Sequence, residues 1–325
     1  MPMPRNPVAA RFHDRVQRGV VIGTALFLIC AVVAGCGWSG ASIPMSHPRQ
    51  HPVVLSPGSV TEIPYLRVGV DDQTQGRLFL PRSHPTRPAT VVLIHGGGWK
   101  AGVDSHALDA LASQLQSRGV TVWNIEYRRI GSGGGWDTTF TDVAHAIDFI
   151  PELARATPLV NPEDVVVVGH SAGGQLAVWI ASRAVRPTDG PGPPPRVVPR
   201  AAISLAGVLD MAATGRISTN ARDVLGGDRR DVPRRYALVN PIERINPAVP
   251  VTIVHAVDDR VVRYSVGADY ATAARKLGAS VTTVALRSGG HAAPVTPGRG
   301  MSATLRAIDK SMTSTTGPWT VRQHY

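Results

Sequence analysis

Four consecutive valines at 165–168 run without a polar interruption into Gly169-His170-Ser171-Ala172-Gly173-Gly174. A short segment that is apolar on both of its alternating faces is a strand covered on both sides, as in a parallel sheet held between helix layers. The glycines that follow permit a tight strand-to-helix turn with Ser171 at its tip. The pattern G-x-S-x-G therefore lies in the strand–turn–helix context that gives the pentapeptide chemical meaning. Without a strand before it and a helix after it, the same residues would describe only a flexible Gly/Ser turn.

The rest of the chain keeps this rhythm. Strand-like runs at 89–94, 120–127, 164–169, 201–205, 249–254 and 280–286 alternate with helix-period segments at 105–118, 141–156, 174–185, 266–277 and 300–312. Alternation of this kind implies βαβ units, and so an α/β fold with a mostly parallel central sheet and helices on both faces. Two stretches interrupt it. One is the Pro/Gly-rich loop 187–199. The other is the segment 211–248, a small insertion that fits a cap over the site but is too short for a large lid domain.

Composition fits a globular domain, with 43% hydrophobic and 18% charged residues in 325. The net charge of +11 comes from arginines scattered along the chain, with only Lys100, Lys276 and Lys310 as lysines and no run of five basic residues. Dispersed charge of this kind does not describe a nucleic-acid face. The two cysteines lie close together near the amino terminus and no histidines are paired, so no metal, haem or iron–sulfur site and no cofactor is expected.

At the amino terminus, Arg5, Arg11, Arg15 and Arg18 precede an apolar run at 20–35. Its 16 residues would reach only ~24 Å as a helix, short of a ~30 Å hydrocarbon core, which favours an export signal over a permanent span. The run ends in Val33-Ala34-Gly35-Cys36, which resembles the lipobox of bacterial lipoproteins. That resemblance implies cleavage before Cys36, lipidation of its thiol, and anchoring at the outer face of the bacterial cytoplasmic membrane, with membrane lipid as a partner. The alternative is an uncleaved anchor with two buried cysteines. The expected organisation is a signal at 1–35, a Pro/Ser-rich tether at 36–58 and a catalytic domain at 59–325.

A serine nucleophile needs a base to take its proton and a carboxylate to orient that base. The strand at 249–254 leads into His255-Ala256-Val257-Asp258-Asp259-Arg260, and the strand at 280–286 leads into Arg287-Ser288-Gly289-Gly290-His291. Both lie at carboxyl ends of strands, where open α/β sheets gather ligands. The chain order of Ser171, an aspartate (Asp258 or Asp259) and His291 fits a nucleophile, its orienting acid and its base. Upstream, His95-Gly96-Gly97-Gly98-Trp99 follows the first strand of the series. The amides of Gly97 and Gly98, with that of Ala172 at the helix start, would form an oxyanion hole. A phosphate cradle is the rival for this loop, but the sequence lacks G-x-G-x-x-G and a following Lys-Ser/Thr. His95 is expected to shape its loop, and His145 and His255 to pack in the core.

These residues resemble the α/β-hydrolase superfamily, in particular hormone-sensitive-lipase-like and BD-FAE-like carboxylesterases. The match rests on His95 to Trp99, Gly169 to Gly174, Asn124-Ile125-Glu126-Tyr127-Arg128, Phe140-Thr141-Asp142-Val143, Asp258 to Val262, and Gly289 to His291. The resemblance implies cofactor-free hydrolysis of small-molecule carboxylic esters through an acyl-enzyme. It also selects Asp258 over Asp259 as the acid, leaving Asp259 to face away. The His-Gly-Gly-x-Trp form also occurs in arylformamidases, and the acid loop resembles that of prolyl-oligopeptidase-like peptidases, so amide substrates stay open. A membrane-tethered binding protein of the same fold is the non-catalytic alternative.

Overall fold

The valine run forms an inner strand of an eight-stranded sheet in the computed structural model, which describes residues 55–66, 73–82, 89–185, 188–215 and 219–313. The strands are β1 (Val60–Pro64), β2 (Gln75–Phe79), β3 (Thr90–Ile94), β4 (Thr121–Ile125), β5 (Val165–His170), β6 (Ala201–Leu205), β7 (Val251–Ala256) and β8 (Val281–Leu286). Their order is β1-β2-β4-β3-β5-β6-β7-β8; β2 pairs antiparallel with both β1 and β4, and every other pairing is parallel. The described helices are α1 (Asp109–Ser117), α2 (Thr138–Asp148), α3 (Ile150–Ala156), α4 (Ala172–Ser182), α5 (Met211–Gly215), α6 (Asn220–Leu225), α7 (Pro233–Val239), α8 (Tyr264–Lys276) and α9 (Arg299–Thr313).

Alternation along the strands divides the core between the two faces of the sheet. Val165 and Val167 pack with α2, α3, α4 and α8, whereas Val166 and Val168 pack with α1 and α9. The chain leaves β3 through α1 on one face to reach β4. It then returns past β3 through α2 and α3 on the opposite face to reach β5. The order of connections therefore reverses between β3 and β5, at the kind of switch point where α/β sheets open a crevice.

Sequence patterning stops short of the first two strands. β1 and β2 carry Thr, Glu, Gln and Arg and lie at the antiparallel margin of the sheet, so no apolar alternation announces them. Gly76 in β2 has a packing reason: a Cβ there would run into the indole of Trp123, which is fully buried and donates its Nε1–H to the Ala146 carbonyl at 3.0 Å. The helix expected at 141–156 begins earlier and is broken at Phe149, because Pro151 starts a second helix rather than continuing the first. The insertion at 211–248 holds α5, α6 and α7, which bury Val224, Leu225, Tyr236 and Val239.

Cys36, the apolar run at 20–35 and nearly all of the expected tether lie outside the described residues. Among the described residues no helix is long and apolar enough to cross a membrane.

Candidate active site

Strand register brings two of the nominated loops together. Ile94 pairs with Gly169, so His95 and His170 leave neighbouring parallel strands side by side, and the Ser171 amide bonds the Leu205 carbonyl at the end of β6 at 2.9 Å. Ser171 then turns at φ 55° and ψ −119°, a conformation few side chains adopt, and caps the amino end of α4. Such a turn requires close backbone approach. A Cβ on Gly173 would overlap the carbonyls of Ile94 and His95, and one on Gly169 would overlap Gly173.

The glycine loop after β3 is braced from below. His95 is fully buried, with Nε2 at 2.9 Å from Glu126 Oε1 and Nδ1 at 2.8 Å from the Gly96 carbonyl. The Tyr127 ring stacks on it at 4.4 Å and donates its hydroxyl to the His95 carbonyl at 2.9 Å. Burial alone would raise the Glu126 carboxyl, but the contacts with His95, Arg129 and the Ser105 amide outweigh it and hold the carboxyl below its ordinary range. His95 thus shapes the loop and takes no part at its surface. Gly97 and Gly98 follow with φ of +105° and +63°, and among the described residues neither amide finds an acceptor. Ala172, first in α4, likewise has an amide beyond the reach of intrahelical bonding.

His291 stands over the same end of the sheet. His170 Nε2 donates to the His291 carbonyl at 3.0 Å, and the two rings lie 4.8 Å apart. Burial lowers the His170 imidazole to about 4, so the ring is a neutral donor near pH 7. The residue next to the serine therefore holds the backbone of the proposed base. Nothing in the sequence marks this role beyond the variable place of G-x-S-x-G.

The carboxylate that meets His291 differs from the expectation. His291 Nδ1 bonds Asp259 Oδ2 at 2.8 Å, whereas Asp258, named from the resemblance, is exposed and accepts the amides of Gly289 and Gly290 at 3.1 and 2.9 Å. The two neighbours do face opposite ways, but with the roles exchanged. β7 ends at Ala256, and the chain then closes a turn with the Asp259 amide on the Ala256 carbonyl at 3.3 Å, which folds Asp259 inward. Asp259 Oδ1 accepts the amides of Val261 and Val262 at 2.8 and 3.0 Å. Burial raises this carboxyl, but the His291 bond and the two amides more than offset it, and it stays ionised below the usual range.

His255, expected to be a packing residue, is buried but also touches the acid. Its Nε2 lies 3.1 Å from Asp259 Oδ2 and 2.9 Å from the Val262 carbonyl. Among the described residues no three His, Cys, Asp or Glu side chains group as a metal-ion site. His145, on α2, joins no constellation of this kind.

The sheet order and connections define an α/β-hydrolase fold. A truncated carbohydrate esterase from gut microbiota superposes with a TM-score of 0.70 at 18% identity, covering 80% of this chain and 98% of that one. An esterase of Thermogutta terrifontis superposes with a TM-score of 0.63 at 22% identity, covering 78% and 91%. Residues 77–273 match the BD-FAE family, and the chain belongs to that family. The matched stretch takes in Gly97, Gly98, Ser171 and Asp259 and ends before His291. The acetylxylan esterase of Xylanibacter ruminicola is 25% identical over 230 residues, which is 70% of this chain and 45% of that protein. This chain spans less than half the length of the curated relatives it matches.

Proposed function

We propose that this chain is a serine carboxylesterase acting through Ser171, His291 and Asp259, with an oxyanion hole from the amides of Gly97, Gly98 and Ala172. The observation that carries this reading is the 2.8 Å bond from His291 Nδ1 to buried Asp259, on a histidine tied through His170 to the strained Ser171 turn. That bond keeps the proton on Nδ1 and leaves Nε2 to act as base. Ser171 Oγ attacks the ester carbonyl and gives its proton to His291 Nε2. The carbonyl oxygen becomes an oxyanion facing the loop amides, and collapse expels the alcohol, which takes the proton from Nε2. Water repeats the sequence on the acyl-enzyme, releasing the acid and restoring Ser171.

Short acyl groups suit the site best. The insertion beside it contributes helices of only 5, 6 and 7 residues, too little for a lid that would house a long chain. Similarity to an acetylxylan esterase and to a carbohydrate esterase supports an acetyl ester carried on a sugar as the substrate class. A fluorophosphonate probe should label wild-type protein at Ser171 and leave Ser171→Ala unlabelled. A panel of p-nitrophenyl esters should then rank acetate and propionate above octanoate. Labelling without hydrolysis of any ester, joined to cleavage of aryl formamides, would favour the amide-hydrolase alternative.

The protein's location belongs to the same proposal. The basic flank, the short apolar run and Val33-Ala34-Gly35-Cys36 support export and a lipid anchor on Cys36, with the hydrolase held at the outer face of the membrane.

A further inference from the structure

Asp259 Oδ2 receives two imidazoles, one from the loop after β8 and one from β7. His291 Nδ1 approaches at 2.8 Å and His255 Nε2 at 3.1 Å. His255 Nε2 also faces the Val262 carbonyl at 2.9 Å, an atom that can only accept, so its proton must sit on Nε2. The other nitrogen, Nδ1, is buried and has no partner among the described residues; it looks toward Gly267, where a Cβ would lie 3.3 Å away. A buried, unpartnered lone pair is a cost to the fold. The chain retains the ring in spite of that cost, and a leucine of similar volume would carry none.

We propose that His255 is a positioning residue for the reaction: its Nε2–H anchors Asp259 Oδ2 and competes with His291 for that oxygen, so that it tempers the hold of Asp259 on the His291 proton. This rests on the esterase reading of Ser171, His291 and Asp259. An acid serving His291 alone would be a stronger acceptor and would keep the imidazolium protonated to higher pH. With one lobe of Oδ2 committed to His255, the hold of Asp259 on the His291 Nδ1 proton is weaker than it would be alone.

The groups around the ring agree with a neutral donor. Asp259 lies on one side with His291 beyond it, His170 is close enough to interact electrostatically, and the Tyr264 ring at the start of α8 meets the imidazole edge-on at 5.7 Å. Burial, joined by the charge of His291 when protonated, holds His255 below the ordinary imidazole range against the pull of Asp259 and the Val262 carbonyl.

The test compares His255→Leu, which removes the donor, with His255→Gln, whose amide N–H can reach the same oxygen. The His291 imidazole is titrated by ¹⁵N nuclear magnetic resonance in intact protein, and the acidic limb of kcat/KM is measured with p-nitrophenyl acetate. In His255→Leu the His291 titration and the acidic limb should both move up by about half to one pH unit, while His255→Gln should stay within about 0.2 unit of wild type. A lower kcat in His255→Leu with an unmoved His291 titration would overturn the proposal and reduce His255 to a packing residue. If the wild type cleaves no ester, the resonance titration still decides the proposal, so its failure and that of the esterase reading can be told apart.

Discussion

Asp258 and Asp259 are adjacent in sequence and hold opposite ends of one device: Asp259 bonds the His291 ring, and Asp258 bonds the amides of the Gly289-Gly290 turn that carries that ring. Asp259→Asn should lose about three to four orders of magnitude in turnover, because an amide that donates to Nδ1 stabilises the wrong tautomer. Asp258→Asn keeps acceptor capacity on one oxygen and should lose tenfold or less. Single-turnover acylation by a chromogenic acetate, with folding checked by circular dichroism, measures both, and the reverse ranking would return the acid's role to Asp258.

Gly173→Ala should damage the fold as well as the site. The new methyl would overlap the carbonyls of Ile94, in the parallel ladder, and of His95, which accepts the Tyr127 hydroxyl, and neither can yield as a flexible side chain would. A cost of about 1–3 kcal/mol is expected, together with loss of fluorophosphonate labelling. Urea denaturation measures the first, and an unchanged midpoint would show that the elbow accommodates a Cβ.

Stability should fall on mild acidification. Burial depresses His170 to about 4 in the folded protein, against about 6.5 for an unfolded chain, so the unfolded state binds more protons between those values. The stabilisation is complete above about pH 6.5 and declines as pH falls toward 4; His255, also depressed by burial, acts in the same direction. His170 alone should account for about 2–3 kcal/mol across that window. Urea midpoints at pH 7.5 and pH 4.5 should differ accordingly in wild type and differ less in His170→Gln.

Cys36→Ser should move the protein out of the membrane fraction and abolish incorporation of labelled fatty acid. Membrane association that survives both the substitution and a salt wash would instead indicate an uncleaved anchor.

Much of this architecture is legible in residue types. The valines of β5 with the glycines after Ser171 specify a buried strand and an elbow, and β3 with Gly96 to Gly98 specifies a second loop at the same sheet edge. The acid was not legible, because strand alternation ceases to guide side-chain direction once the chain leaves the ladder at Ala256. The turn that bonds the Asp259 amide to Ala256 brings Asp259 under His255, four residues back, a contact that an extended strand, with the two about 13 Å apart, could not make. The part played by His170 was hidden for a different reason: its partner is a backbone carbonyl, and carbonyls leave no mark on a sequence.

The position of β8 gives the site an uneven resistance to heat. The nucleophile and the glycine loop ride on β5 and β3, whose residues are almost all buried between neighbouring strands, whereas His291 follows a margin strand whose residues are largely exposed or half-buried. Fraying starts where few buried contacts oppose it. On the proposed reading, His291 should therefore loosen on heating before Ser171 does, so that esterase activity should fall at a lower temperature than the core unfolds and should return on cooling.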